Sequence, residues 1–257
     1  MGSTTLNIEQ IEFFNTNGYL VIENLISQDQ IKTYRDIYNR FLNGEIETGK
    51  NRVDLGVGLG KNTQVENITQ IMWPCDFVPE LLDMEYHQRA LSMSKALFGN
   101  DMELDFDMLI NKAPGTNTPT PWHQDAAYWI TLPDKRAVSC WLALDEATID
   151  NGCMWYVPKS HLQPLRVHRP MSVKGGALVC DADEEEGIPI QIKPGTGIFH
   201  HGATLHYSRG NATSSQRRAF IINFRPKAMI DLERQAGFDH GRTGSAAERQ
   251  VRNEHSK

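Results

Sequence analysis

The sequence lacks long apolar runs, an excess of positive charge and a dense set of cysteines. No stretch of its 257 residues approaches the about 18 consecutive apolar residues of a membrane-spanning helix, so we expect none. Lysine and arginine total 26 against 32 aspartates and glutamates, a net charge of −6. This charge argues against a nucleic-acid-binding or membrane-binding surface.

The four cysteines are too few for a disulfide scaffold, and none forms a CxxC pair. We expect free thiols in or near the core at Cys75, Cys140, Cys153 and Cys180. The first ten residues contain no basic segment followed by an apolar run, and the final Ser256-Lys257 lacks the leucine of a peroxisomal signal. These features predict a cytoplasmic protein.

The first hundred residues are predicted to be mainly helical. Apolar residues at helical spacing indicate helices after Asn7, after Ser27 and over about Pro79–Phe98, with a short strand over Tyr19–Ile22. The glycine-rich segment 54–61 matches neither a Walker loop nor a dinucleotide-binding fingerprint. We interpret this segment as a flexible loop and a candidate lid over a site.

From about residue 102 the pattern changes to short apolar or alternating runs between turn signals. Strands are predicted over Met102–Lys112, Ala137–Leu144, Cys153–Val157, Gly176–Cys180, Gly197–Ser208 and Arg217–Arg225. Many short strands at this spacing are typical of a β-sandwich or jelly-roll barrel. We therefore predict a mainly β fold with flanking helices, a double-stranded β-helix (cupin-like) barrel with the N-terminal helices packed on one face.

One domain is expected over residues 1–230. Its mainly helical part and lid would occupy 1–100, and its barrel strands 102–226. Residues 231–257 are polar and contain glycine, so they are expected to form a C-terminal tail.

The pattern with clear chemical potential is His-x-Asp. Residues i and i+2 of a strand share one face, so His123 and Asp125 can project together into a barrel interior and offer two ligands to one metal. A second histidine would complete the two-histidine, one-carboxylate triad of non-haem Fe(II). His206 is the candidate, and His200 and His201 remain alternatives on this reasoning alone.

Arg217 follows His206 by 11 residues, on the next predicted strand. A hairpin through 209–214 would lay that strand beside the one that bears His206. A buried arginine needs an anionic partner, and a dicarboxylate cosubstrate can meet its guanidinium with two hydrogen bonds. Ser208 shares the face of His206 and can add a hydroxyl donor. A surface position on an edge strand is the simpler alternative for Arg217, since Arg218 is beside it.

Taken in order, these motifs resemble the phytanoyl-CoA dioxygenase family of Fe(II)- and 2-oxoglutarate-dependent oxygenases. The resemblance covers most of residues 8–225 and is carried by Met108–Pro114, Trp122–Asp125, Trp141–His161, His206-x-Ser208-x-x-Asn211 and Arg217. It implies three iron ligands, which are His123, Asp125 and His206. It implies four contacts to 2-oxoglutarate, Arg217 and Ser208 at the distal carboxylate together with Gln124 and Trp141.

The resemblance also implies an activity. Such an enzyme uses Fe(II), 2-oxoglutarate and O2 to oxidise a C–H bond of a small molecule, with release of succinate and CO2. The carboxylate of Asp125, where related halogenases carry a small residue, implies oxygenation. We expect a secondary metabolite or lipid-like substrate, because no basic cluster near the candidate lid demands a CoA phosphate.

Two alternatives stay open at this point. An acyl-CoA thioester is another substrate class, and a non-enzymatic cupin-like module that binds a metal or ligand is another function. Five aromatic residues either flank the mouth of the site or belong to the core, namely Trp73, Tyr128, Trp129, Trp155 and Tyr156. The sequence predicts no oligomeric state.

Overall fold

Two antiparallel sheets face each other in the computed structural model, which describes residues 5–56, 65–171 and 177–243. The α-helices are α1 (Ile8–Asn17), α2 (Gln28–Leu42), α3 (Pro74–Phe77), α4 (Glu85–Phe98) and α5 (Lys227–Gln235). The strands are β1 (Tyr19–Ile22), β2 (Arg52–Asp54), β3 (Ile68–Met72), β4 (Met102–Lys112), β5 (Thr120–His123), β6 (Val138–Ala143), β7 (Met154–Tyr156), β8 (Arg169–Pro170), β9 (Leu178–Val179), β10 (Ile188–Ile190), β11 (Gly197–His201), β12 (His206–Ser208) and β13 (Arg217–Pro226).

The larger sheet has seven strands in the order β1-β11-β6-β13-β4-β3-β2, and the smaller has four in the order β10-β7-β12-β5. Side chains alternate between the two faces of the larger sheet. On β13, Phe220 and Ile222 pack among the helices, whereas Ala219 and Ile221 face the interior between the sheets. The mainly β fold with helices on one face is thereby confirmed, as two facing sheets and not a closed barrel in the described ranges.

Helices α1 and α2 begin where the capping residues predict, and together with α4 they cover the outer face of the larger sheet. The side chains of Asn7 and Ser27 each accept a hydrogen bond from the backbone N–H three residues later. Tyr34, Tyr86 and Phe220 then join α2 and α4 to β13 by edge-to-face ring contacts, with centroids 5.4 to 6.2 Å apart. This packing anchors the larger sheet, whose inner face faces the smaller sheet.

Two predicted elements are divided. The third helix starts as a 3₁₀ turn over Pro79–Asp83 and becomes α4 only after Met84, which is extended. The strand predicted over Gly197–Ser208 is β11 and β12, which lie in different sheets, because the chain crosses between the sheets in between. Most of the candidate lid, residues 57–61, lies outside the described residues, and so does Gly176.

The tail expected over 231–257 is wrong as far as residue 243. Helix α5 continues through Gln235, and the side chains of Phe238 and His240 beyond it are buried. His240 Nε2 lies 3.1 Å from Asp105 Oδ2 on β4. A buried ion pair of this kind orders a polar segment, and composition alone does not reveal it. Residues 244–257 lie outside the described residues.

The prediction about the cysteines is confirmed. All four cysteines are free and buried. In the part of the chain that the structure describes, no helix has the length and apolar character needed to cross a membrane.

Candidate metal and cosubstrate site

Three metal-ligating side chains converge between the two sheets. His123 ends β5 and His206 begins β12, and the two residues are paired directly across these antiparallel strands. Asp125 Oδ1 lies 3.6 Å from His123 Nε2 and 3.5 Å from His206 Nε2. One ligand atom from each residue lies within 4.8 Å of the others. This is the donor set of a facial triad, with two nitrogens and one oxygen.

The local structure around Asp125 differs from the prediction. Asp125 does not continue the strand but opens a 3₁₀ turn over Asp125–Tyr128. The turn begins directly after Gln124, which is still extended, so the carboxylate stays on the same side as the His123 ring. The side chains of His123 and Asp125 therefore lie on the same side, as predicted. The predicted reason, a strand that continues through Asp125, is wrong, because β5 ends at His123.

Both histidines of this group present Nε2 to its centre. His123 Nδ1 lies 2.8 Å from the Pro121 carbonyl oxygen, and His206 Nδ1 lies 2.9 Å from that of Thr204. A carbonyl only accepts, so each Nδ1 carries the hydrogen and donates it. Each Nε2 then keeps a free lone pair, which is what a metal ion requires.

The second oxygen of Asp125 is held by residues that the sequence did not single out for this purpose. His200 Nε2 and Ser139 Oγ each lie 3.1 Å from Asp125 Oδ2, and Asn223 Nδ2 donates to Ser139 Oγ at 2.9 Å. These donors occupy Oδ2 and leave Oδ1 for the centre of the group. His200 is thus a hydrogen-bond partner of Asp125, and Tyr156 donates from its hydroxyl to His200 Nδ1 at 3.2 Å.

His201, the other alternative, lies outside the group. Its ring lies 5.3 Å from that of His161, and its Nδ1 accepts a hydrogen bond from the Ala203 N–H. Strand alternation explains this, because consecutive residues of β11 point to opposite faces of the sheet. His161 itself stays near the Asn15 carbonyl oxygen, 3.1 Å away, and takes no part in the group.

The electrostatics of the group suit a cation. Burial, helped by the neighbouring His123, holds the pKa of His206 well below its usual value, so its imidazole is neutral at pH 7. Burial opposes ionisation of Asp125, but the neighbouring histidines, including His200 through its hydrogen bond, outweigh it and hold the pKa of this carboxyl well below its usual value. A neutral imidazole and an ionised carboxylate are the protonation states in which these side chains bind a metal.

Arg217 begins β13, and its side chain is buried with some of its hydrogen-bond donors unpaired. Its exposure is 1%, and neither Nε nor Nη1 has a hydrogen-bond partner. The guanidinium carbon lies 5.2 Å from the centre of the Trp141 ring, a cation–π contact. Burial lowers the pKa of Arg217 to about 10, which leaves the group charged at pH 7. A buried charge of this kind calls for an anion.

The predicted hairpin between His206 and Arg217 is wrong. Strand β12 pairs with β5 and β7 in the small sheet, whereas β13 pairs with β4 and β6 in the large one. The segment after Ser208 therefore crosses from one sheet to the other. Arg217 still faces the interior, because it falls on the same alternating face of β13 as Ala219 and Ile221.

A second buried basic residue, Lys112, stands directly opposite Arg217 in the pairing of β4 with β13. Its Nζ donates to the carbonyl oxygens of Thr118, Ser208 and Arg209 at 3.1, 3.4 and 2.8 Å. Burial and the nearby Arg217 hold the pKa of Lys112 well below its usual value. Within the described ranges no carboxylate forms an ion pair with either residue. Sequence reasoning missed Lys112, although a lysine that ends an apolar strand was a usable signal.

The other predicted contact residues lie nearby with different surroundings. Ser208 is buried two residues after His206. The amide of Gln124 is already engaged, since its Nε2 donates to the Ala203 carbonyl at 2.7 Å and its Oε1 accepts from the Arg166 N–H at 2.9 Å. It therefore joins two loops beside the triad, and its contact with a cosubstrate stays a prediction.

The five aromatic residues do not share one surface. Tyr128 lies edge-on to His123 with ring centroids 5.7 Å apart, and Tyr156 contacts His206 at 5.9 Å. Trp155 instead lies beneath Arg209, 5.1 Å from its guanidinium carbon. The other two, Trp73 and Trp129, belong to a separate cluster with Phe106, Ala137 and Phe238.

Comparison with known proteins identifies related sequences and a similar structure. The sequence model of the family described as phytanoyl-CoA dioxygenase matches residues 14–219. The chain is 27% identical to the peroxisomal phytanoyl-CoA dioxygenase of Bos taurus over 233 residues, which cover 86% of this chain and 69% of that protein. It is 26% identical to the phytanoyl-CoA dioxygenase of Arabidopsis thaliana over 259 residues, which cover 87% and 90%.

A solved structure is similar over most of the chain. EvdO2 from Micromonospora carbonacea var. aurantiaca, crystallised in complex with 2-oxoglutarate, superimposes with a TM-score of 0.72 at 28% identity. The match covers 86% of this chain and 91% of EvdO2.

Proposed function

The chain belongs to the phytanoyl-CoA dioxygenase family and is a 2-oxoglutarate-dependent dioxygenase, and we propose that it oxidises a C–H bond of a secondary metabolite or lipid-like small molecule. The observation that carries the proposal is the pairing of two unlike sites between the same sheets. A triad suited to Fe(II) and a buried guanidinium whose Nε and Nη1 have no partner both face the interior between the sheets. A metal-binding module without a cosubstrate would have no use for the second site.

In this proposal the residues present fit both groups. His123, His206 and Asp125 would hold Fe(II) on one face through two Nε2 atoms and Oδ1. Arg217 would take the distal carboxylate of 2-oxoglutarate with its unpaired donors, and the hydroxyl of Ser208 would add a further donor. When bound, iron with 2-oxoglutarate and O2 supplies oxidation of the substrate, with succinate and CO2 as the other products.

The protein's own part is positioning and the control of charge. Asp125 is fixed by His200 and Ser139 so that one oxygen alone faces the metal. The two histidines are fixed by their Nδ1 hydrogen bonds. Lys112 and Trp141 position the residues proposed to bind the distal carboxylate of 2-oxoglutarate. Lys112 donates to the Ser208 carbonyl oxygen at the end of β12, and the Trp141 ring contacts the Arg217 guanidinium.

The proposed substrate class is supported by the arginines near Trp73 and Trp129. Arg225 pairs with Glu233, Arg234 with Asp105 and Arg242 with Asp76. Each of these arginines is thereby paired with a carboxylate of the protein. None of these three arginines is left free to bind the phosphates of a CoA thioester, which is consistent with the proposed substrate class.

The test is succinate release with Fe(II), 2-oxoglutarate and a panel of compounds that includes ring-containing metabolites, lipids and acyl-CoA thioesters. We expect stimulation by a compound without CoA, with loss of this stimulation in His206→Ala. Stimulation by acyl-CoA thioesters alone would overturn the substrate class. Equal release by His206→Ala would overturn the ligand assignment.

We also propose a cytoplasmic location, because all four cysteines are free, as is usual in a reducing compartment. Several relatives are named as peroxisomal proteins. Imaging of the full chain in cells of its source, with tags at either end in separate experiments, tests this location. Punctate signal that coincides with a peroxisomal marker would contradict it.

A further inference from the structure

A second group of metal-ligating side chains lies on the opposite face of the large sheet from the triad. It consists of Cys75 in α3, His87 in α4 and Asp107 in β4, and we call it the outer group. Cys75 packs in the core cluster formed by the helices, and the His87 ring contacts Phe220 at 5.2 Å on the face that α4 covers. The outer group therefore has no part in the proposed reaction.

The three ligand atoms of the outer group are as close together as those of the triad. Cys75 Sγ lies 3.3 Å from His87 Nε2, and His87 Nε2 lies 3.7 Å from Asp107 Oδ2. All three atoms lie within 4.8 Å of one another. Bonds of about 2.3 Å to sulfur and about 2.0 Å to nitrogen or oxygen at tetrahedral angles place such ligands roughly 3.3 to 3.6 Å apart. The observed separations need only small adjustments to meet this geometry.

Two buried polar atoms of the outer group have no hydrogen-bond partner. Asp107 is fully buried, and its Oδ1 has no hydrogen-bond partner, like Nδ1 of His87. Its Oδ2 accepts a hydrogen bond from the Cys75 N–H at 3.3 Å. No lysine or arginine in the described ranges forms an ion pair with Asp107. An ionised carboxylate in such surroundings is costly unless a cation joins it.

In a comparable cluster of the same protein, arginine side chains neutralise the charges of the buried carboxylates. Asp105, Glu233 and His240 are equally close together and equally buried. There, however, Arg234 pairs with Asp105, and Arg225 pairs with Glu233. The carboxylates of that cluster are neutralised by the protein itself, which leaves no role for a metal. The outer group has no such arginines.

We propose that Cys75, His87 and Asp107 bind a divalent transition-metal ion, with Zn²⁺ as the ion that this ligand set prefers. Thiolate and imidazole are the usual zinc ligands, and Asp107 can supply a third and, through its unpartnered Oδ1, a fourth ligand atom. The Cys75 thiol releases its proton to solvent on binding. Zn²⁺ with one thiolate, one carboxylate and a neutral imidazole is a neutral site, which a buried position favours.

The role of this metal site would be structural. Its ligands come from α3, α4 and β4, so the ion would join the short helix and the long helix to the large sheet. Ligand binding to the folded state alone stabilises it by mass action. We therefore expect chelators to lower the melting temperature of the protein even when the triad cannot bind metal.

The experiment removes the triad as a competing site. The full-length double variant Asp125→Ala/His206→Ala is stripped with chelator, loaded with Zn²⁺ and desalted, and its metal content is measured. We expect one zinc ion per chain, lost when Cys75→Ala is added and retained when Cys153→Ala is added. Cys153 is a matched control, since it is equally free and buried but lies apart from the outer group.

Cobalt gives a readout that needs no further variant. Co²⁺ in the double variant should give an intense near-ultraviolet band from thiolate-to-cobalt charge transfer, absent in the Cys75→Ala form and present in the Cys153→Ala form. Circular dichroism checks that each form is folded. No band and well under one zinc ion per chain in the folded double variant would overturn the proposal, as would equal zinc content with and without Cys75.

Discussion

His200 donates from Nε2 to Asp125 Oδ2 over 3.1 Å, while Oδ1 of the same carboxylate faces the other two imidazoles. One oxygen of the Asp125 carboxylate, the supported oxygen Oδ2, thus accepts a hydrogen bond within the protein, while Oδ1 is left to bind a metal. Ser139 donates to the supported oxygen as well. Outer hydrogen bonds of this kind orient a metal ligand and raise its affinity for the metal.

The first prediction concerns this support. Replacing His200→Leu or Ser139→Ala should weaken Fe(II) binding by about 10- to 100-fold, because the Asp125 carboxylate loses a donor that fixes it. Anaerobic Fe(II) titration measures the effect. His201→Leu is the control, as its ring is directed away from the triad. Unchanged affinity in both variants, or an equal loss in the control, would contradict the prediction.

The second prediction concerns the buried guanidinium. Arg217→Met should weaken 2-oxoglutarate binding by about 10- to 150-fold, which corresponds to the roughly 1.5–3 kcal/mol of a charge-assisted hydrogen-bonded pair. Calorimetric titration measures this affinity. Arg218→Met is the control, because Arg218 pairs with Asp145 on the outside of the sheet. If both variants bind 2-oxoglutarate as the parent protein does, Arg217 does not hold the cosubstrate.

The third prediction is that the same Arg217→Met change stabilises the protein when no ligand is present. Removing a buried charge without an anionic partner removes its desolvation cost, and methionine fills a similar volume. The free energy of unfolding from urea titrations should rise without 2-oxoglutarate, and the stabilisation that 2-oxoglutarate gives the parent protein should vanish. A lower unfolding free energy in the ligand-free variant would mean that protein groups already compensate the charge.

The fourth prediction uses the ion pair of the C-terminal segment. Burial opposes protonation of His240, but Asp105 and Glu233 raise its pKa from 6.5 to about 9. The folded state therefore holds this proton more tightly than the unfolded state. The resulting stability is complete below pH 6.5 and is lost as the pH rises through about 9. Its size is about 3 kcal/mol at most, from 1.36 kcal/mol per pKa unit.

The difference in unfolding free energy between the parent protein and His240→Gln measures this contribution. Urea titrations of both proteins below pH 6.5 and above pH 9 should show a difference that shrinks as the pH rises. Taking the difference removes the common effect of thiols and tyrosines that ionise in the unfolded chain. A difference that stays constant over this range would show that His240 is not charged in the folded protein.

Much of this architecture could be predicted from local patterns. Alternation and turn residues locate β4 and β13 to within a residue, because each strand has one face in the helical core and another in the interior. Caps at Asn7 and Ser27 locate two helix starts for a similarly local reason.

Relations between distant segments were less accessible. The crossing of the chain between the two sheets after Ser208 depends on tertiary packing, and no local signal distinguishes it from a hairpin. The contact between His200 and Asp125 joins residues 75 positions apart, so it requires the register of β11 against β6. The burial of His240 depends likewise on Asp105, far away in the sequence.

The central claim is that His123, Asp125 and His206 hold iron beside a 2-oxoglutarate site built around Arg217. It is tested most directly by anaerobic addition of Fe(II) and 2-oxoglutarate to the purified protein, followed by visible absorption spectroscopy. The account predicts a weak purple charge-transfer band that needs both additions and that disappears in His206→Ala but not in His201→Leu. No band in the folded parent protein, or the same band in His206→Ala, would contradict it.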